Sequence, residues 1–179
     1  MADLRRANSY ICNYYTPWPA CNELEAMPKP VLLLENFLPY RLSVLTNLVS
    51  SAIAGAYRER FGLSIPEWRV VAVLANSPDL SAAEVAQRTA MDKVAVSRAV
   101  RALLKSARLE RRMAHADRRR SVLRLTAAGR HIHAQVAPFA LTYERSLLRP
   151  LSRQERVALD RALDILLGRA LQIGPLSKT

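Results

Sequence analysis

A mainly α-helical chain interrupted by one short β-hairpin is what this sequence predicts, and three observations carry it. Ser-x-x-Glu capping boxes stand at Ser64/Glu67, Ser81/Glu84 and Ser152/Glu155, each ahead of an apolar stretch of helical period. Such a box starts a helix because hydroxyl and carboxylate satisfy N–H groups that have no partner in the first turn. Two five-residue runs, Leu109-Glu110-Arg111-Arg112-Met113 and Ser121-Val122-Leu123-Arg124-Leu125, alternate like strands. Between them lies a polar tip, His115-Ala116-Asp117-Arg118-Arg119-Arg120, with three consecutive arginines.

Taken in order, residues 1–30 read as an irregular extension, flexible or draped over the body. They hold Pro17, Pro19, Pro28 and Pro30, both cysteines, and Tyr14 and Tyr15, with no helical or strand period. Met27 is an alternative natural start. The first helix is expected from about Leu32 or Asn36 to Phe61, ending near Gly62 as a C-terminal glycine. A second helix over 65–76 follows the Ser64/Glu67 box, with Pro66 tolerated in its first turn. The third starts at residue 82 and stops at an Ala90-Met91 turn, after which Asp92 is the N-cap of a fourth. In that fourth helix Val96, Val100, Leu103 and Ala107 form an inward stripe at helical spacing. Beyond the hairpin, Thr126 caps a fifth helix to about Leu148, bent at Pro138, and Ser152 opens a sixth to about Leu171. The resulting division is 1–30 extension, 31–62 first helix, 63–126 helices two to four with the hairpin, 127–172 two further helices and 173–179 tail.

Two helices joined by a tight turn and followed by a basic hairpin make a winged helix-turn-helix. The outer face of the fourth helix carries Val94, Ser97, Arg98, Arg101 and Lys105. A cationic face with short side chains fits a major groove, where arginine reads guanine and serine meets base or phosphate. The candidate contacts are Lys93, Ala95, Ser97, Arg98 and Arg101; the alternative is a solvated amphipathic helix. Arg119, flanked by Arg118 and Arg120, is expected to enter or straddle a minor groove, where narrow A·T tracts concentrate negative potential. Asp117 would orient one of these arginines rather than meet DNA.

Charge and composition agree. Of 179 residues, 27 are Lys or Arg and 15 Asp or Glu, a net charge of +12, with an isoelectric point near 10.6. That is the footprint of a polyanion binder. A membrane-surface protein would share it, but neither a bilayer-spanning apolar run nor a signal-peptide core is present, so a cytoplasmic protein is expected. Aromatics are 6% and do not interleave with the basic runs, which argues against a single-strand stacking platform. No nucleophile–base pairing, phosphate-cradling glycine loop or carboxylate dyad stands out, so neither an enzyme nor a cofactor is expected. His131-x-His133 is no metal pair, because helical residues two apart do not share a face. Cys12 and Cys21 are candidates for redox sensing, although both lie in the extension.

Several of these residues resemble the MarR-type (multiple antibiotic resistance regulator) transcription factors over about residues 31 to 172. The likeness rests on Gly62-Leu63-Ser64-Ile65-Pro66-Glu67-Trp68-Arg69-Val70 and on Met91-Asp92-Lys93 with Val96-Ser97-Arg98. It extends to Asp117-Arg118-Arg119-Arg120 followed by Leu123-x-Leu125-Thr126-x-x-Gly129. The resemblance implies a dimer, helical apart from the wing, that usually represses transcription and often releases DNA on binding a small aromatic acid.

The terminal helices point to the same partner. Leu34, Leu38, Leu45, Leu48 and Ala52 repeat on the first, and Val157, Leu159, Leu163, Leu166, Leu167 and Leu171 on the sixth. Both are too apolar to stand alone, so a homodimer through the N- and C-terminal helices is expected. Two reading helices must also reach successive major grooves ~34 Å apart. For an effector, Arg41 shares the face of Leu38, Leu45 and Leu48, and Arg69 is the sole cation in an apolar second helix beside Trp68. Two arginines next to aromatic surface suit a small aromatic carboxylate through fork contacts and stacking. Each could instead pair with Glu35 or Glu67 or reach solvent. The family likeness favours a pocket among the first, second and fifth helices, with Asn47 and His131 as further lining residues.

The expected function is therefore a ligand-responsive transcriptional regulator, a repressor that binds a pseudo-palindromic duplex operator as a dimer and is released by a phenolic or related aromatic carboxylate. The alternative is a DNA-binding regulator without small-molecule input, controlled by cysteine oxidation or abundance. A basic protein–protein adaptor on the same fold stands third.

Overall fold

Local hydrogen bonding starts every helix of the second half of the fold. In the computed structural model, which describes residues 32–113 and 121–174, the Ser64 hydroxyl accepts from the Glu67 N–H at 3.4 Å. The Glu67 carboxylate takes the Ser64 N–H at 2.7 Å. This box opens α2 (Ile65–Asn76), and equivalent boxes at Ser81/Glu84 and Ser152/Glu155 open α3 (Ala82–Thr89) and α6 (Arg153–Ile173). The Ser152 N–H and hydroxyl hold the Glu155 carboxyl below its usual range, so this box stays ionised at neutral pH. Asp92 accepts from the Ala95 N–H at 3.2 Å and starts α4 (Lys93–Lys105), and Thr126 accepts from Gly129 at 3.2 Å to start α5 (Ala127–Leu148).

The first helix is shorter than the sequence predicts. A 3-10 turn, Leu34–Asn36, precedes α1 (Leu38–Phe61), and extended backbone at Phe37 separates the two. Gly62 follows with φ +62°, the left-handed conformation that glycine adopts without steric cost. The chain divides into two units, Met1–Val44 and Leu45–Thr179. Among the described residues, the first holds the 3-10 turn and the opening of α1; all that follows belongs to the second.

Ala107 is not on the inward stripe of α4. The helix ends at Lys105, and Ala107 is exposed with φ 53°. Its N–H donates to the Leu104 carbonyl and that of Arg108 to Leu103, a Schellman closure that requires a left-handed residue. Ala90 closes α3 in the same way with φ 50°, which makes the turn between the two helices of the helix-turn-helix.

The core lies under α2, α4 and the hairpin. Val70, Val71 and Leu74 meet Val85 of α3, Val96, Val100 and Leu103 of α4, and Ile132 and Val136 of α5, all buried. Strands β1 (Leu109–Met113) and β2 (Ser121–Leu125) pair antiparallel, Leu109 opposite Leu125 and Arg111 opposite Leu123. Leu80 bridges to Leu123, adding the α2–α3 loop to the sheet edge, and Asp79 in that loop receives a two-pronged contact from Arg124. This pairing raises the Arg124 pKa through its hydrogen bond to the carboxylate. One residue joins three elements: the Arg108 guanidinium donates to the Phe61 carbonyl at the end of α1 (2.5 Å). Its own carbonyl accepts from Thr126 (3.1 Å) ahead of α5. Gly129 packs directly on that carbonyl.

The sixth helix buries nothing in this chain. Every described residue of α6 is exposed, including Leu167 at 63% and Leu171 at 87%. Leu38, Leu45 and Leu48 of α1 are exposed too, as is Arg41. Within one chain, then, the Arg41 guanidinium bears no burial cost. Among the described residues, no helix is long and apolar enough to cross a membrane.

Candidate nucleic-acid interface

The reading face is the part of α4 that the core leaves outside. Val96, Ala99, Val100 and Leu103 are buried, whereas Lys93, Val94, Ser97, Arg98, Arg101 and Lys105 are exposed. Ala95 is half-buried, its N–H taken by the Asp92 cap. Lys93, Arg98 and Arg101 make no ion pair among the described residues. Two grooves of about 340 Å³ flank the helix. One, between α4, the start of α3 and β1, is lined by Lys93, Ser97, Arg101 and Arg111. The other, beside the start of α2, is lined by Ser64, Glu67, Ala95 and Arg98. The expected contacts thus share one helix but open on two sides of it.

Arg111 is a residue the sequence reading passed over. Strand parity was the available signal, since Arg111 stands opposite Leu123 and two residues from Leu109, both buried. The hairpin that carries the wing is in place, while Asp117, Arg118, Arg119 and Arg120 lie outside the described residues, as do Cys12 and Cys21.

The family pattern for MarR regulators matches residues 61–120, from the end of α1 through the helix-turn-helix to the arginine run. Solved structures align over far more of the chain. A MarR/EmrR family transcriptional regulator from Acinetobacter sp. ADP1 is 26% identical, with a TM-score of 0.72 over 79% of this chain and 99% of its own. Over its DNA-binding part the chain is similar to the MarR family. The proteins it resembles there are transcriptional regulators. The fold also matches FabT of Streptococcus pneumoniae, solved in complex with DNA, at 23% identity and TM-score 0.62 over 76% of this chain and 96% of that one. It matches Bordetella bronchiseptica BpsR, whose DNA binding is regulated by 6-hydroxynicotinic acid, at 22% identity and TM-score 0.66, covering 76% and 97%. No curated relative matches the chain.

Residues a MarR effector could meet are partly gathered. Trp68 stacks on Tyr57 (ring centroids 5.5 Å apart) and on His133 (5.8 Å). It is His133, not His131, that comes to Trp68; His131 is exposed and bonded to Gln135 at 2.9 Å. Burial pushes the Tyr57 phenol above its ordinary pKa, an effect that Arg58 and Arg69 oppose. Arg69 is half-buried and donates to the Ser50 hydroxyl at 3.2 Å. Among the described residues it makes no ion pair. Glu67, one counter-ion the sequence offered, is bound instead to Ser64 within the capping box. Asn47 is exposed on α1. Arg41 belongs to the first unit, where it lines an open concavity with Leu33, Phe37 and Leu38. The described residues contain no group of three His, Cys, Asp or Glu that would hold a metal ion.

Proposed function

We propose that the protein is a dimeric, ligand-responsive repressor. It reads a pseudo-palindromic operator through Lys93, Ala95, Ser97, Arg98 and Arg101, with Arg118, Arg119 and Arg120 of the wing at the minor groove. It acts in the cytoplasm, where that operator lies. The observation that carries this reading is the exposed cationic face of α4, without an ion pair among the described residues, on a helix whose opposite face is core. The likeness to FabT with its DNA supports it. The exposed apolar side chains of α6 support the dimer, because a helix with no buried contact of its own needs a partner surface. The test is operator selection from a random duplex pool, followed by the Arg98→Ala variant. Loss of one guanine-directed fork costs ~1–3 kcal/mol on the selected duplex and relaxes preference at one position per half-site. Equal loss on mixed-sequence DNA would make Arg98 a phosphate contact, and no loss would remove it from the groove.

The effector in this reading is a small aromatic carboxylate bound at Arg69. A half-buried guanidinium that donates, among the described residues, to a neutral hydroxyl and to no carboxylate has unused capacity for an anion. The Tyr57–Trp68–His133 stack places aromatic surface beside it. BpsR, which responds to an aromatic acid, shares the fold. A tenfold release of operator requires about 1.4 kcal/mol of coupling, and operator must weaken the effector by the same factor. Arg69→Ala is expected to abolish inducer response in a DNA-release titration while leaving operator affinity within about twofold, well under 1 kcal/mol. Arg41→Ala, measured separately, reports whether the first unit takes part. A normal response in both variants would discard the arginine site.

A further inference from the structure

Strand parity sorts the arginines of the hairpin into two sets. On one face of the sheet, Glu110, Arg112 and Arg124 neutralise one another and Asp79. Glu110 and Arg112 are 2.7 Å apart, Arg124 stands opposite Glu110 in the register, and Arg124 grips Asp79. On the other face, Leu109, Leu123 and Leu125 are buried against the helices, and Arg111 stands between Leu109 and the exposed end of the strand. Arg111 is exposed and makes no ion pair among the described residues. Its side chain lines the groove that also holds Lys93, Ser97 and Arg101.

Three cations without an ion pair among the described residues and a hydroxyl line one groove, with no carboxylate among the described residues lining it, and form a surface for a string of negative charges. Lys93 and Arg101 are two helical turns apart, ~12 Å at 1.5 Å per residue, so the cations are spread along the groove rather than focused on a point. That spacing fits a polymer backbone better than a single small anion. We propose that Arg111 is a DNA backbone contact. One strand of the duplex runs along the groove between α4 and β1, its phosphates held by Arg111 and Arg101 with Lys93 and the Ser97 hydroxyl. Arg98, in the groove on the other side of α4, is left for base reading. This rests on the regulator reading above and adds a residue and a division of labour to it. Phosphate contacts set register and affinity without carrying sequence information, whereas base contacts carry it.

The experiment compares Arg111→Ala, Arg111→Lys and Arg112→Ala with the parent chain. The probes are a duplex selected from a random pool and a mixed-sequence duplex of equal length, each titrated over a series of salt concentrations. Arg111→Ala is expected to weaken binding to both duplexes by the same factor, about five- to tenfold, and to flatten the salt slope by ~0.9. Arg111→Lys restores the slope, and Arg112→Ala, with its charge already matched by Glu110, changes neither reading beyond twofold. Circular dichroism confirms that the exposed substitutions leave the fold intact. Unchanged binding by Arg111→Ala overturns the proposal, as does a loss confined to the selected duplex. Equal effects of Arg111→Ala and Arg112→Ala would reduce it to bulk charge and overturn it as well. Failure of the parent chain to bind either duplex would instead sink the regulator reading, and this proposal with it.

Discussion

Aspartate at both Leu163 and Leu167 is expected to yield a folded chain that no longer pairs. The two leucines lie one turn apart on the same face of α6, 38% and 63% exposed in the single chain. In a two-fold dimer each substitution counts twice, because the same patch serves both subunits. Burying four carboxylates where leucines packed should weaken association by ~4 kcal/mol or more, at least ~1,000-fold. The fold itself should hold, since α6 supplies no buried residue to the core. Sedimentation at micromolar concentration then shows a monomer whose helical circular dichroism signal and thermal transition remain. Operator affinity falls steeply alongside, because two half-site contacts stop being intramolecular. A dimer of unchanged stability would place the interface elsewhere.

Gly129→Ala tests the joint between hairpin and fifth helix. A Cβ at Gly129 would collide with the Arg108 carbonyl oxygen and press on Leu125 Cδ2 at 3.0 Å. The carbonyl cannot yield freely: it accepts the Thr126 N–H, while the Arg108 N–H is tied to Leu103 and its guanidinium to Phe61. Overpacking against fixed backbone costs about 3 kcal/mol, near the upper end for such changes. For a chain of this size that is a fall in Tm of roughly 10 °C. Scanning calorimetry checks it, and a midpoint within a degree of the parent would mean that the joint is soft.

What the sequence made legible was the chemistry of neighbours. Helix starts at Ser64, Ser81, Asp92, Thr126 and Ser152 depend on groups three residues apart, and all five stand as expected. The hairpin strands were readable for the same reason, through a period of two. Ala107 was misplaced because alanine does not advertise the left-handed conformation that glycine would have signalled. The choice between His131 and His133 depends on how α5 is rotated against Trp68, a matter of packing between elements distant in the chain. Alternation alone places Arg111 on the Leu109 face of the hairpin, but its nearness to Lys93 and Arg101 depends on how the sheet packs against α4. The pairing of Arg124 needed Asp79, 45 residues away in the chain, and no local pattern announces that.

The Arg108 contacts have a mechanical meaning. The end of α1, the end of α4 and the turn into α5 are hydrogen-bonded to one residue at the root of the hairpin. A displacement of the end of α1 is therefore expected to reach the base of α4 and the root of the hairpin through this one residue. The base of α4 and the root of the hairpin share one fastening, so neither shifts without straining the other.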